Sequence, residues 1–245
     1  MFRGLRVNLS YIKPEKKKKI ICVTSFTSGE GKTFNSINLA MTLAYANAKT
    51  ILIGADLRKP KIYEDFNLDN NIGLSSYLIN QHSLKEVIKY SGFENLDILL
   101  AGPAPPNPVE LIESPKMAEM LELLIEEYDY IIIDTAPLGL VSDFFALKKY
   151  TDINLFVVRH KKSKRKALAY VNRLVQDNVI SDMKIIFNDL QKNSSGAGYG
   201  YGYGYGYGYG YGYGDASHGY YDNEAPKKKK WLSKLFKKKK KTKKK

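Results

Sequence analysis

The stretch KIICVTSFTSGEGKT, Lys19 to Thr33, decides the fold. Its first seven residues form an apolar, β-branched run that suits a buried strand. A loop with two glycines follows, and then NSINLAMTLAYA, 35–46, repeats its apolar residues at helical spacing. Strand, glycine-containing loop, Lys-Thr and helix is the layout of a phosphate-binding loop. Backbone N–H groups wrap a phosphate there, and the helix adds the positive end of its dipole. In that layout Thr27, Ser28, Gly29, Glu30, Gly31, Lys32, Thr33 and Phe34 are the nucleotide-binding residues. Lys32 reaches the β- and γ-phosphates and the Thr33 hydroxyl ligates Mg²⁺. The usual pattern G-x-x-x-x-G-K-[ST] opens on a glycine, and that position is Phe26 here. A bare G-K-T recurs by chance, so the weight rests on its place at a strand-to-helix junction.

Further runs repeat the first. TILIG (50–54), DILLA (97–101), YIIID (130–134), INLFVV (153–158) and KIIF (184–187) are continuous apolar segments separated by amphipathic stretches. Together they predict an α/β domain with a mostly parallel sheet covered by helices on both faces. YIIID ends on Asp134, where a buried carboxylate is costly unless it meets a cation or hydrogen-bond donors. One reading makes it a Mg²⁺ ligand, direct or through water; the other makes it a helix N-cap. In ILIGADLRKP, 51–60, residues 54 and 56 fall on one side of the strand end, so Asp56 can also face the phosphates. Alternatively Arg58 and Lys59 hold it as an ion-pair partner.

A chain of 245 residues that is 44% hydrophobic suffices for one such domain plus a tail. It has no run of about 18 apolar residues and no apolar leader, which predicts no membrane span or secretory signal. The single Cys22 lies in an apolar run, excludes an intramolecular disulfide and suits a reducing compartment. The net charge of +14 resembles a nucleic-acid signal until it is located: 13 lysines and no acid fall in residues 227–245. The expected organisation is a P-loop domain over 1–190, a Tyr/Gly-rich segment over 191–226 and a basic tail over 227–245. Neither of the last two has the varied apolar surface a core needs, which predicts disorder. His82, His160 and His218 show no metal-ligand spacing, and no Ser-His-Asp arrangement is suggested. Arg159 and Lys161–Lys166 follow a strand at the loop's edge of the sheet; one reading has them contact the nucleotide or an incoming tyrosine, and the favoured one is a solvated basic face.

Several stretches together resemble the bacterial tyrosine kinases of capsule and exopolysaccharide export. They are FRGLRVNLSY, TSFTSGEGKT, ILIGADLRKP, AGPAPPNPVELIESPKM, YDYIIIDTAPLGLVSD, FVVRHKKSK and the tyrosine tail. AGPAPPNPVELI is the most specific, because P-loop proteins in general have no reason to carry it. The resemblance implies a fold similar to the partition and division-site ATPases. It implies Lys32, Asp56 and Asp134 as catalytic residues, with Thr33, Asp56 and Asp134 at the Mg²⁺ ion. Asn188 matches the position where related ATPases contact adenine. Arg3 and Arg6 match the two arginines of the family's E-x-x-R-x-x-R oligomerisation motif, carried on a helix over 1–12. The glutamate would fall immediately before Met1, so a fragment of a longer protein, or a kinase whose membrane part is a separate polypeptide, is expected. The family's D-x-D at the end of the second strand is broken, since its first aspartate is Gly54.

The resemblance gives the tail a purpose. Tyr199, Tyr201, Tyr203, Tyr205, Tyr207, Tyr209, Tyr211, Tyr213, Tyr220 and Tyr221 are expected to be phosphorylated in trans, within a homo-oligomeric ring, from ATP and Mg²⁺. Alternating glycine keeps such acceptors accessible. Trp231, Leu232, Leu235 and Phe236 lie at helical spacing among lysines, which predicts attraction to an anionic membrane surface rather than nucleic acid. Each phosphotyrosine adds about −1.5 to −2 charges, so modification is expected to draw the lysines off that surface. The partners implied are a membrane polysaccharide co-polymerase or activator segment and a tyrosine phosphatase, at the cytoplasmic face of the bacterial inner membrane. Two other readings stay open: an ATP-binding scaffold whose catalysis is weakened by Gly54, and a partition-type regulatory ATPase. The second lacks that group's extra loop lysine, whose place Thr27 takes.

Overall fold

The computed structural model describes residues 2–181 and 183–190. The expectations for the tyrosine cluster and the lysine tail lie outside the described residues.

The chain opens with helix α1 (Phe2–Ser10), strand β1 (Lys19–Ser25), α2 (Lys32–Ala44) and β2 (Thr50–Gly54). Short helices α3 (Ile62–Phe66), α4 (Leu74–Leu78) and α5 (Leu84–Val87) lead into β3 (Ile88–Phe93) and β4 (Leu96–Leu99). Then come α6 (Pro108–Glu113), α7 (Pro115–Glu127), β5 (Tyr130–Asp134), α8 (Asp143–Leu147), a 3₁₀ turn (Lys148–Tyr150), β6 (Ile153–Arg159), α9 (Arg165–Gln176) and β7 (Met183–Asn188).

The strands form one sheet in the order β3-β4-β2-β5-β1-β6-β7. Every adjacent pair is parallel except β3 with β4. All six expected runs are strands, and β3 was not anticipated. IKYSGF alternates too weakly to stand out, with only Ser91 buried along it. It pairs because the two residues Glu94 and Asn95, the latter at φ +60°, turn the chain straight back onto β4.

Alternation along the central strands sends side chains to two cores. Ile131 and Ile133 of β5 pack with Ile51 and Ile53 against Met117, Met120, Leu121 and Leu124 of α7. Those four follow an i, i+3, i+4, i+7 stripe. Ile132 points the other way, to Ile21, Val23, Leu39 and Leu43, with Leu9 of α1 closing the same layer. A third cluster joins Cys22, Phe144, Phe156, Val158 and Val171 under α9.

From β1 the chain works outward through β2 and β4; after β5 it crosses to β6 and β7 on the other side of β1. A crevice at the carboxyl ends of the strands results where the order reverses, the usual ligand position in open parallel sheets. The register places Asp134 opposite Val23 on one side and Gly54 on the other, at the floor of that crevice. Among the described residues no helix is long and apolar enough to cross a membrane.

Candidate active site

The loop between β1 and α2 owes its shape to two glycines. Gly29 and Gly31 have φ of +79° and +100°, the left-handed region that side chains disfavour. A Cβ on Gly31 would also collide with Nδ2 of Asn188. Phe26 departs from the usual first glycine at no backbone cost, because it is not among the described residues with positive φ. Room for it is left across the cleft by Gly139, where a Cβ would come within 2.6 Å of the Phe26 carbonyl. Inside the loop, the buried Glu30 accepts the Thr27 N–H at 2.8 Å and the Ser163 hydroxyl. Thr27 and Glu30 therefore shape the loop, whereas Ser28, Gly29, Gly31, Lys32, Thr33 and Phe34 line an open cleft.

Helix α2 starts at Lys32, so its first turn faces the cleft. The Lys32 Nζ lies 3.0 Å from Asp56 Oδ2 and 3.6 Å from Asp134 Oδ2. The Thr33 hydroxyl donates to Asp134 Oδ2 at 2.8 Å, and the Ser36 hydroxyl lies 3.0 Å from Oδ1. Three elements, α2 and the ends of β2 and β5, thus converge on one cation and two carboxylates. Asp134 is 2% exposed. Its burial raises its pKa above the usual carboxylate range, an effect that the attraction of Lys32 and the hydroxyl donors reduces without cancelling. Burial works against the charge of Lys32 as well. There Asp134 and Asp56 prevail, and the ammonium is held above its ordinary value.

The alternative readings of both aspartates are corrected by this geometry. Asp134 does not cap a helix, since the next one begins at Asp143. Nor does Asp56 serve Arg58 and Lys59 as an ion-pair partner; from those two it receives the Lys59 backbone N–H alone, at 3.0 Å, and its ion pair is with Lys32. Arg58 turns instead to Asp143, with Nε and Nη2 each 3.3 Å from a carboxylate oxygen. Asp143 is fully buried and was missed. Its sequence signal was Ser-Asp ahead of the apolar FFAL, the mark of a helix start. The pair ties the segment after β2 to the segment after β5, the two that leave the site carboxylates.

Asn188, at the end of β7, donates to the Glu30 carbonyl at 3.0 Å and lines a second recess with Gly31, Phe34, Arg159 and Phe187. Asn35 was also missed. Its Nδ2 donates to the Gly31 carbonyl at 2.8 Å, and its Oδ1 is buried without a partner. Arg3 and Arg6 stand apart from the cleft; with Thr42 and Tyr45 they line a separate groove between α1 and α2. Arg159 meets the loop directly, donating from Nη1 to the Gly29 carbonyl at 2.9 Å.

These residues fit a nucleotide with Mg²⁺. The donors are hard oxygens, and among the described residues no group of three or more His, Cys, Asp or Glu could cage a metal. Mg²⁺ characteristically takes one or two carboxylates and completes its shell from phosphates and water. Burying Asp134 opposes its negative charge, a cost that a second cation would offset.

The family profile of the AAA domain matches residues 18–149. The chain is 44% identical over 142 residues to the CapB protein of Staphylococcus aureus, spanning 58% of this chain and 62% of that one. With the tyrosine-protein kinase YwqD of Bacillus subtilis it shares 35% identity over 168 residues, 69% of this chain and 71% of the relative. Several longer tyrosine-protein kinases are matched over only 26–27% of their length. Among solved structures, the kinase domain of the Escherichia coli tyrosine kinase ETK superposes with a TM-score of 0.75 at 33% identity. That match covers 83% of this chain and 80% of that domain.

Proposed function

The chain carries an AAA domain and belongs to the bacterial tyrosine-kinase family, and from that membership we propose that it is an ATP-dependent protein-tyrosine autokinase. The observation that carries the proposal is the contact set of Lys32: one ammonium held between Asp56 and Asp134 at the start of α2, at the mouth of a cleft open to solvent.

The reaction moves the γ-phosphoryl group of ATP to a tyrosine hydroxyl, releasing ADP and a proton. Backbone N–H groups of Ser28 to Lys32 and the positive end of α2 hold the phosphates. Lys32 exchanges its carboxylate partners for phosphate oxygens, and Thr33 and Asp134 would hold the metal. Bound Mg²⁺ supplies charge neutralisation on the phosphates as the phosphoryl group transfers. Once Lys32 turns away, Asp56 Oδ2 is free to take the proton from the tyrosine, the role that Gly54 cannot fill. Asn188 and Phe34 flank the recess beside Gly31 and contact the adenine. Arg58, Lys59 and Lys61 on one wall, with Pro137, Leu140 and Val141 on the other, form the cleft that admits the acceptor ring.

The acceptors are the ten tyrosines between Tyr199 and Tyr221, offered by a neighbouring copy in an oligomer that uses Arg3 and Arg6. The setting is capsule or exopolysaccharide export at the inner face of the bacterial membrane. There a membrane activator segment assists the kinase, and a phosphatase reverses it. A second reading follows from Gly54, which leaves the end of β2 without a carboxylate: a nucleotide-controlled scaffold with slow chemistry. Mixing active chain with a mass-tagged Lys32→Met chain in Mg-ATP tests the proposal. Phosphotyrosine on the tagged, inactive chain is the expected result; phosphate confined to untagged chains contradicts transfer between copies, and none on either favours the scaffold.

A further inference from the structure

The turn after β6 brings two cations to Gly29, and only one of them is engaged. Lys161, at φ +59°, reverses the chain so that residues 159–163 lie against the phosphate-binding loop. Ser163 reaches Glu30 there, and Arg159 donates to the Gly29 carbonyl. Arg159 also pairs with Asp189 at 3.0 Å, so its guanidinium is occupied. The ammonium of Lys162 lies against the same glycine, where a Cβ would collide with its Nζ. That ammonium makes no hydrogen bond and no ion pair among the described residues. The nearest acid in the loop, Glu30, already accepts from Thr27 and Ser163.

An unpaired ammonium at the lip of a phosphate-binding loop has one obvious class of partner, the polyphosphate of the nucleotide. We infer that Lys162 is a second phosphate-binding lysine, delivered from the β6–α9 turn rather than from the loop itself. The inference rests on the nucleotide-binding reading of the cleft. It also gives Gly29 a second reason to lack a side chain: besides its positive φ, the bare Cα leaves the lysine its path to the phosphates. The loop's own lysine, Lys32, meets two carboxylates, whereas among the described residues no acid pairs with Lys162.

The test is calorimetric titration of the purified chain with MgATP, MgADP and AMP. Variants are Lys162→Ala, Lys162→Arg and, as a control that removes the same charge from the same basic run, Lys166→Ala. Lys162→Ala should weaken MgATP and MgADP by about tenfold, the size of one charge-assisted contact, with the melting temperature of the free protein unchanged. Lys162→Arg should recover most of the affinity, and Lys166→Ala should bind as the parent does. Parent-like affinity in Lys162→Ala, or an equal loss in Lys166→Ala, overturns the inference and leaves the cleft assignment standing. A parent chain that binds no MgATP overturns both.

Discussion

A single absent side chain at position 54 sets the rate of the proposed reaction. A Cβ there would meet the Ala101 backbone nitrogen at 3.2 Å and the Ile62 Cδ1 at 3.4 Å, so an aspartate fits if its neighbours yield by a few tenths of an ångström. Gly54→Asp should therefore fold and should raise autophosphorylation roughly tenfold or more, with the usual worth of a positioned base, about 10²–10⁴-fold, as the ceiling. A variant no faster than the parent would show that Asp56 suffices. Asp134 makes a prediction of opposite character. Burial raises its pKa in the folded protein, so its ionised form is less favoured in the native state than in the unfolded chain. The stability this gives is complete below the unfolded value of about 4 and is lost as pH rises through the raised native value. Asp134→Asn should abolish phosphoryl transfer and also remove that loss. Its melting temperature at neutral pH should match or exceed the parent's, with a flatter profile above pH 4. A variant markedly less stable at pH 7 would mean that the carboxylate is structural. Lys32, Thr33, Asp56 and Asp134 were legible because their motifs fix both residue type and distance from a strand end. Asp143 and Asn35 were not, since each acts through a partner that is distant in sequence or belongs to the backbone, and Lys162 was legible only as one member of a basic run.

Elements were legible where burial is two-sided. β1, β2 and β5 have apolar layers above and below, which writes a continuous run into the sequence. β3 sits at the sheet edge and buries little, so nothing in its composition announces it. Helices α3, α4 and α5 are too short for periodicity to register. Helix α1 shows the opposite case: its arginines were read from motif resemblance, and the structure gives them a setting. Leu9 anchors the helix in the core, while Arg3 and Arg6 line a groove with Thr42 and Tyr45 of the neighbouring α2 region. Phe2 of α1 meets Phe34 of α2 edge-on, with ring centroids 5.9 Å apart, which links this helix to the rim of the cleft. Arg6→Glu should reduce the oligomer mass seen by light scattering and lower tail phosphorylation, with nucleotide affinity retained. An unchanged mass would remove α1 from the assembly.

Over the whole molecule, charge and chemistry are segregated along the chain. Nearly all of the net +14 lies in the last nineteen residues, so the catalytic domain is close to neutral and its local fields come from a few placed groups. Lys32 between two carboxylates and the unpaired Lys162 are the ones that matter to a phosphate. The tyrosines lie in a composition that no core-forming domain would use, and the proposed phosphoryl transfer gives their number a purpose. The most direct measurement is incubation of the purified chain with Mg-ATP, followed by mass spectrometry of the 198–221 segment. Phosphotyrosine should accumulate there in the parent and be absent from Lys32→Met. Equal phosphorylation in that variant, or none in either the parent or Gly54→Asp, would contradict an autokinase centred on Lys32, Asp56 and Asp134.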